Sequence, residues 1–159
     1  MTKGILQLLI GIIIGAIIFR TQLEFDQNCG GYLKQAADAN TAELSLKRLN
    51  MAVKYAEDHG LTEGYTSVFY KTEDDNIGYW YQNLKACQKE LQEVIGKSQL
   101  EQTNVLMKVR ESLTDNGKEG TELTVPSGIA CYPNNMFYGI LTLLGILLFG
   151  LGIFNLHKL

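Results

Sequence analysis

Two long runs without charge stand at the ends of the chain, and between them apolar residues return every three or four positions. Gly4 to Phe19 has no charged side chain and one strongly polar residue, Gln7. Met136 to Leu156 has no charge either, and Thr142 and Asn155 are its polar members. A hydrocarbon layer of about 30 Å takes about 20 helical residues. The second run fills that length. The first is shorter and reaches it by recruiting Thr2 and Lys3 and letting Arg20 extend toward the headgroups. The expected boundaries are a transmembrane helix over 1–20, a helical soluble domain over 21–135 and a transmembrane helix over 136–157. A cleaved signal peptide with Lys3 as its basic start is the competing reading of the first run. Gly15-Ala16-Ile17-Ile18-Phe19 lacks small residues at both positions that a signal peptidase reads, so an uncleaved signal anchor fits better.

Between the runs the period is helical. Asn40 with Glu43 reads as a capped helix start, and Leu46, Leu49, Val53 and Ala56 continue it to a stop at Gly60. Thr72, followed by Glu73, Asp74 and Asp75 against a helix dipole, predicts a second start. From there Ile77, Trp80, Leu84, Cys87, Leu91 and Val94 alternate by three and four, the spacing of a bundle seam. After a break at Gly96-Lys97, Ser98 and Glu101 form a capping box that opens a third helix. Val105 or Leu106, Val109 and Leu113 carry it to Asn116-Gly117. Phe25 to Ala39 reads as a helical continuation of the first span, with Gly30-Gly31 as an interruption. Lys118 to Asn135, punctuated by Pro126, Gly128 and Pro133, reads as an extended return with one short strand around Thr121, Leu123 and Val125. The expected fold class is an all-α membrane protein in which terminal transmembrane helices flank a three- to four-helix soluble bundle.

Charge refines this picture. All 17 acidic residues lie between Arg20 and Asn135, with 12 of the 14 basic ones, so this segment carries a net charge of −5. Lys3 and Lys158 flank the spans on their outer ends, and Arg20 on an inner end. The positive-inside bias then places both termini in the cytoplasm and the domain outside it, as in a bacterial inner-membrane protein. An oxidising compartment would permit a Cys29–Cys131 disulfide joining the two ends of the domain; the alternative is three reduced, buried cysteines.

Candidate chemistry is sparse. Gly4, Gln7, Gly11 and Gly15 share one face of the first span, a packing surface for another helix. It fits either the second span, which offers Gly139, Thr142, Gly145, Gly150 and Gly152, or a helix of another chain. Tyr65, Phe69, Tyr70, Tyr79, Trp80 and Tyr81 crowd one stretch. They read as a recognition surface or as rings plugging the end of the bundle, with Trp80 assigned to the core. Tyr132, Phe137 and Tyr138 read as an interfacial belt. Glu73-Asp74-Asp75 lacks the spacing of a calcium loop, and no metal or cofactor is expected. His59, beside Glu57 and Asp58, has no nucleophile signature around it, and no catalytic residue is assigned. The acidic balance opposes nucleic-acid binding. The expected partners are membrane lipid and proteins, through self-association or docking of the transmembrane helices. The expected role is a non-enzymatic interaction or scaffold subunit. The alternative is a sensor or ligand-binding module using residues 60–81, and an enzyme built on His59 comes last.

Overall fold

The computed structural model describes residues 2–117 and 120–157; Lys118 and Lys158, which entered the charge reading, lie outside them. The chain forms two compact units, one built from residues up to 24 and from 130 onward, the other from Phe25–Ile129.

The first unit consists of helix α1 (Thr2–Phe25), which runs to the unit's edge, and helix α6 (Asn135–His157). Both are long and apolar enough to cross a membrane. Ile5, Leu6, Leu9, Ile12 and Ile13 on α1, and Leu143, Ile146, Leu147 and Phe154 on α6, point away from the protein. A short 3₁₀ turn (Ile129–Cys131) and a cis Tyr132–Pro133 bond precede α6.

The second unit is a four-helix assembly of α2 (Gly31–Ala37), α3 (Ala42–Asp58), α4 (Ile77–Val94) and α5 (Gln99–Leu113). It also contains a hairpin of β1 (Thr114–Gly117) and β2 (Gly120–Leu123). Leu33, Leu49, Ile77, Leu84, Leu91 and Val109 are fully buried and form its centre. The seam expected on α4 is the buried seam: Ile77, Trp80, Leu84, Cys87, Leu91 and Val94 all face inward. On α3 the inward stripe is made of small residues, Ala42, Ser45, Ala52, Val53 and Ala56, together with Leu49. Their size brings α2 close enough for the Ser45 hydroxyl to donate to the Ala36 carbonyl at 2.9 Å. Leu46, expected inside, is only half-buried. Arg110 of α5 donates through Nε to the Ala37 carbonyl at 3.0 Å, satisfying an orphan acceptor at the end of α2.

The helix boundaries follow local backbone chemistry, and four differ from the sequence expectation. Thr41, not Asn40, caps α3: its backbone is extended and its hydroxyl accepts from the Leu44 N–H. Asn76, not Thr72, caps α4, accepting from the Tyr79 N–H at 3.0 Å. The acidic run before it belongs to a turn, because Asp75 is held by the Thr66 N–H through its carbonyl and by the Thr66 and Thr72 hydroxyls through its carboxylate. That extended pairing, with Tyr65 bridged to Asn76, delays the helix to Ile77. The interruption expected at Gly30-Gly31 begins earlier: a π turn runs over Asp26–Gly30 and α2 starts at Gly31, both glycines staying right-handed helical. Helix α5 opens on the Ser98–Glu101 capping box as expected but ends at Leu113, where Thr114 turns extended. Asn116-Gly117 lies in the hairpin, whose register pairs Thr114 with Leu123 and Asp115 with Glu122, so two strands stand where one was expected.

Candidate functional site

The glycine face of the first span is a contact within the chain. Helices α1 and α6 run antiparallel, and the glycines meet in pairs. A Cβ built on Gly152 would lie 2.7 Å from Leu8 Cγ, 2.9 Å from Leu8 N and 3.0 Å from the Gly4 carbonyl oxygen. One built on Gly145 would lie 2.9 Å from Ile14 Cγ2, and one on Gly11 3.1 Å from the Gly145 carbonyl oxygen. Only hydrogen at Cα permits such an approach. Beside the Gly4–Gly152 pair the Asn155 amide donates to Gln7 Oε1 at 2.8 Å, so the two amides face each other across the helix contact. Gly4, Gln7, Gly11 and Gly145 of the expected face therefore pack α1 on α6. Gly15 is different: it is exposed, and a Cβ there meets nothing within 4 Å. Gly139 and Gly150 are equally open.

The cysteines are free thiols. Cys29 is fully buried beside the Ala52 carbonyl at 3.8 Å, and burial pushes its thiol up to about 12. Cys87 lies on the α4 seam and is also raised by burial. Cys131 is half-buried, its sulfur 3.8 Å from the Thr21 hydroxyl. His59 ends α3 at the surface, stacked on Tyr55 at 3.9 Å, with its Nδ1 2.9 Å from the Tyr55 carbonyl. Beside it, the Tyr81 hydroxyl donates to Glu57, which also lies 3.5 Å from Lys85 Nζ. The Tyr81 hydrogen bond, then Lys85, holds the Glu57 carboxyl below its usual range.

The aromatic stretch forms a surface rather than a plug. Gly60 and Gly64 take positive φ and turn the chain into a loop that returns to α4 through the Tyr65–Asn76 bridge. Phe69 is 95% exposed, Tyr70 77% and Tyr79 62%, whereas Trp80 is 6% exposed and belongs to the core. Tyr65 carries the Lys71 ammonium over its ring at 4.9 Å, and Asn76 Nδ2 donates to its hydroxyl at 3.4 Å.

Two adjoining hollows surround the start of α4 and share Glu73, Asn76 and Tyr79. The smaller, about 300 Å³, is lined by Tyr65 and Lys71. The larger, about 540 Å³, lies between the start of α4 and the hairpin, with Trp80 in its wall and Glu73, Asp74, Asp115 and Glu122 around it. No lysine or arginine lines it among the described residues. Sequence reasoning named Tyr65 and Tyr79 but did not reach the two hairpin carboxylates. The comparisons add nothing to this. No family model, curated protein or solved structure matches the chain.

Proposed function

We propose that this chain is a two-pass integral membrane protein whose helical domain, outside the cytoplasm, binds partners without catalysing a reaction. Membrane insertion is supported by how α1 and α6 divide their surfaces: aliphatic side chains point outward, while the glycines and the Gln7–Asn155 pair turn toward each other. Water penalises that outer surface, and a hydrocarbon solvent does not. The chain between the spans is then tied to the bilayer at both ends. Its acidic balance suits a location away from anionic headgroups, and Lys3 favours a cytoplasmic amino terminus.

One observation carries the interaction role: the loop before α4 presents Phe69 and Tyr70 almost fully to solvent, beside the exposed Tyr79. Large aromatic side chains cost free energy when left in water and are enriched at the centres of protein interfaces. A photocrosslinking amino acid placed at Phe69 in native membranes tests this. A discrete protein adduct at position 69, absent for the same probe at Glu43 on the start of α3, is the expected result; identical background labelling at both refutes it. A ligand-binding reading of the same region is favoured by the paired hollows that Tyr65 and Tyr79 line.

A further inference from the structure

We propose that the smaller hollow at the start of α4 is a binding site for a free α-amino acid with an apolar side chain, taken as its zwitterion. The proposal deepens the ligand-binding reading above and rests on it. Its basis is a pair of opposite charges that share one cavity without pairing. Lys71 and Glu73 both line the hollow, two positions apart, yet they form no ion pair with each other. The Lys71 ammonium lies instead over the Tyr65 ring at 4.9 Å. A ring face attracts the charge and leaves ammonium N–H donors available to a carboxylate. Glu73 offers the acceptor that an ammonium group requires. An α-amino acid carries both complementary charges on one carbon.

The walls around these charges are fixed before any ligand arrives. Asn76 accepts from the Tyr79 N–H at 3.0 Å and donates through Nδ2 to the Tyr65 hydroxyl at 3.4 Å. The Tyr65–Asn76 bridge and the 3.0 Å bond from the Thr66 N–H to the Asp75 carbonyl close the loop that carries Lys71 and Glu73. Groups ordered in advance spare binding that entropic cost. Tyr65 and Tyr79 supply apolar ring surface to the hollow, and Tyr79 is 62% exposed, so an apolar side chain has a partner there. At about 300 Å³ the hollow stands at the lower end of the range for ligand pockets, which suits one residue rather than a longer peptide. A peptide also separates its two terminal charges along the chain. A simple anion would answer Lys71 and leave Glu73 opposed, so the ligand carries both signs.

The full chain in uncharged detergent is titrated calorimetrically with L-leucine. Leucinamide, which lacks the carboxylate, N-acetyl-leucine, which lacks the ammonium, and leucyl-leucine, whose charges stand further apart, are the comparisons. Saturable heat with leucine, and binding at least about tenfold weaker with each of the three, is expected when one charge-assisted bond is lost. Two variants locate the charges. Lys71→Gln is expected to weaken leucine to the level of leucinamide and to leave leucinamide unchanged. Glu73→Gln is expected to weaken leucine to the level of N-acetyl-leucine and to leave N-acetyl-leucine unchanged. Both side chains are exposed, so the melting temperature is expected to stay that of the parent. Equal affinity for leucine and either singly charged analogue would overturn the zwitterion while a ligand still occupies the hollow, so the broader ligand-binding reading would stand. Equal or tighter binding of leucyl-leucine would make the ligand a peptide and overturn the proposal in the same way. Indifference of leucine binding to one variant would remove that charge and overturn it too. No saturable heat from any probe, or indifference to both variants, would overturn the proposal and the ligand-binding reading together, leaving the membrane and crosslinking tests to be decided separately.

Discussion

Replacing Gly145 by leucine is expected to separate the two terminal helices, whereas the same change at Gly15 is expected to leave them together. At Gly145 even the first added carbon would stand 2.9 Å from Ile14 Cγ2 and 3.4 Å from Ile14 Cβ. Carbon atoms in ordinary contact sit about 3.5–4.0 Å apart, so Cβ alone demands a retreat of up to about 1 Å, and three further carbons follow it. Ile14 is itself buried in the helix contact. Overpacking of this kind costs about 1–3 kcal/mol, counted without the Gln7–Asn155 bond, which the reporter cysteine at position 155 removes from every chain compared. A cost near 2 kcal/mol lowers the ratio of closed to open hairpin about thirtyfold. The reporter is a cysteine pair at Gly4 and Asn155, where the Cβ separation would be 3.4 Å, close to the separation a disulfide requires. After brief oxidation in membranes, closure is counted as the loss of two maleimide–polymer additions per chain. High yield in the parent and in Gly15→Leu, with a severe loss in Gly145→Leu, is expected. Equal yields for the two leucine variants would show that the glycines do not set the approach of the helices.

Four other outcomes follow from the same coordinates. Leu91→Ala empties a fully buried position on the α4 seam and should cost about 2–5 kcal/mol, read from chemical unfolding followed by Trp80 emission. Ser98→Ala removes the hydroxyl that accepts from the Glu101 N–H and should cost about 1 kcal/mol, with α5 fraying first in amide exchange. Cys29 should resist aromatic disulfide reagents in the native state while Cys131 reacts, the order of labelling by mass spectrometry being the check. Burial raises the Cys29 thiol from 9.0 to about 12, so the unfolded chain ionises it first. The stability this supplies is complete below pH 9 and is lost as pH climbs from 9 to about 12, and Cys29→Ala should flatten that part of the pH–stability profile.

How much of this was legible before the coordinates depended on the range of the forces involved. The α4 seam was read in full because burial imposes a period of 3.6 on every residue of one helix, and the Ser98–Glu101 box because its two bonds span a single turn. The error at Thr72 has a different origin. Threonine followed by three acidic residues satisfies the local grammar of a helix start, but Asp75 is claimed by Thr66, nine positions earlier, and only the return of the loop makes that partner present. The end of α5 was missed although Asn116-Gly117 is also a hairpin dipeptide; reading it as a helix stop concealed the strand on its near side.

The same missed hairpin explains why the glycine face and the acidic hollow differed so much in visibility. Gly4, Gln7 and Gly11 advertise themselves by spacing on one helix, and their partners Gly145 and Gly152 repeat that spacing on the other, so two local patterns sufficed to suggest a contact. The hollow is assembled from three segments, each with an ordinary explanation: acidic residues before a helix, a tryptophan on a core seam, and charged positions on a surface ladder. Their meaning changes only when the fold brings them together, since a cavity wall shared by the loop, α4 and the hairpin is a property of the assembly and of no single segment. Here the chain supplied Lys71 to the smaller hollow, while no basic side chain lines the larger one among the described residues.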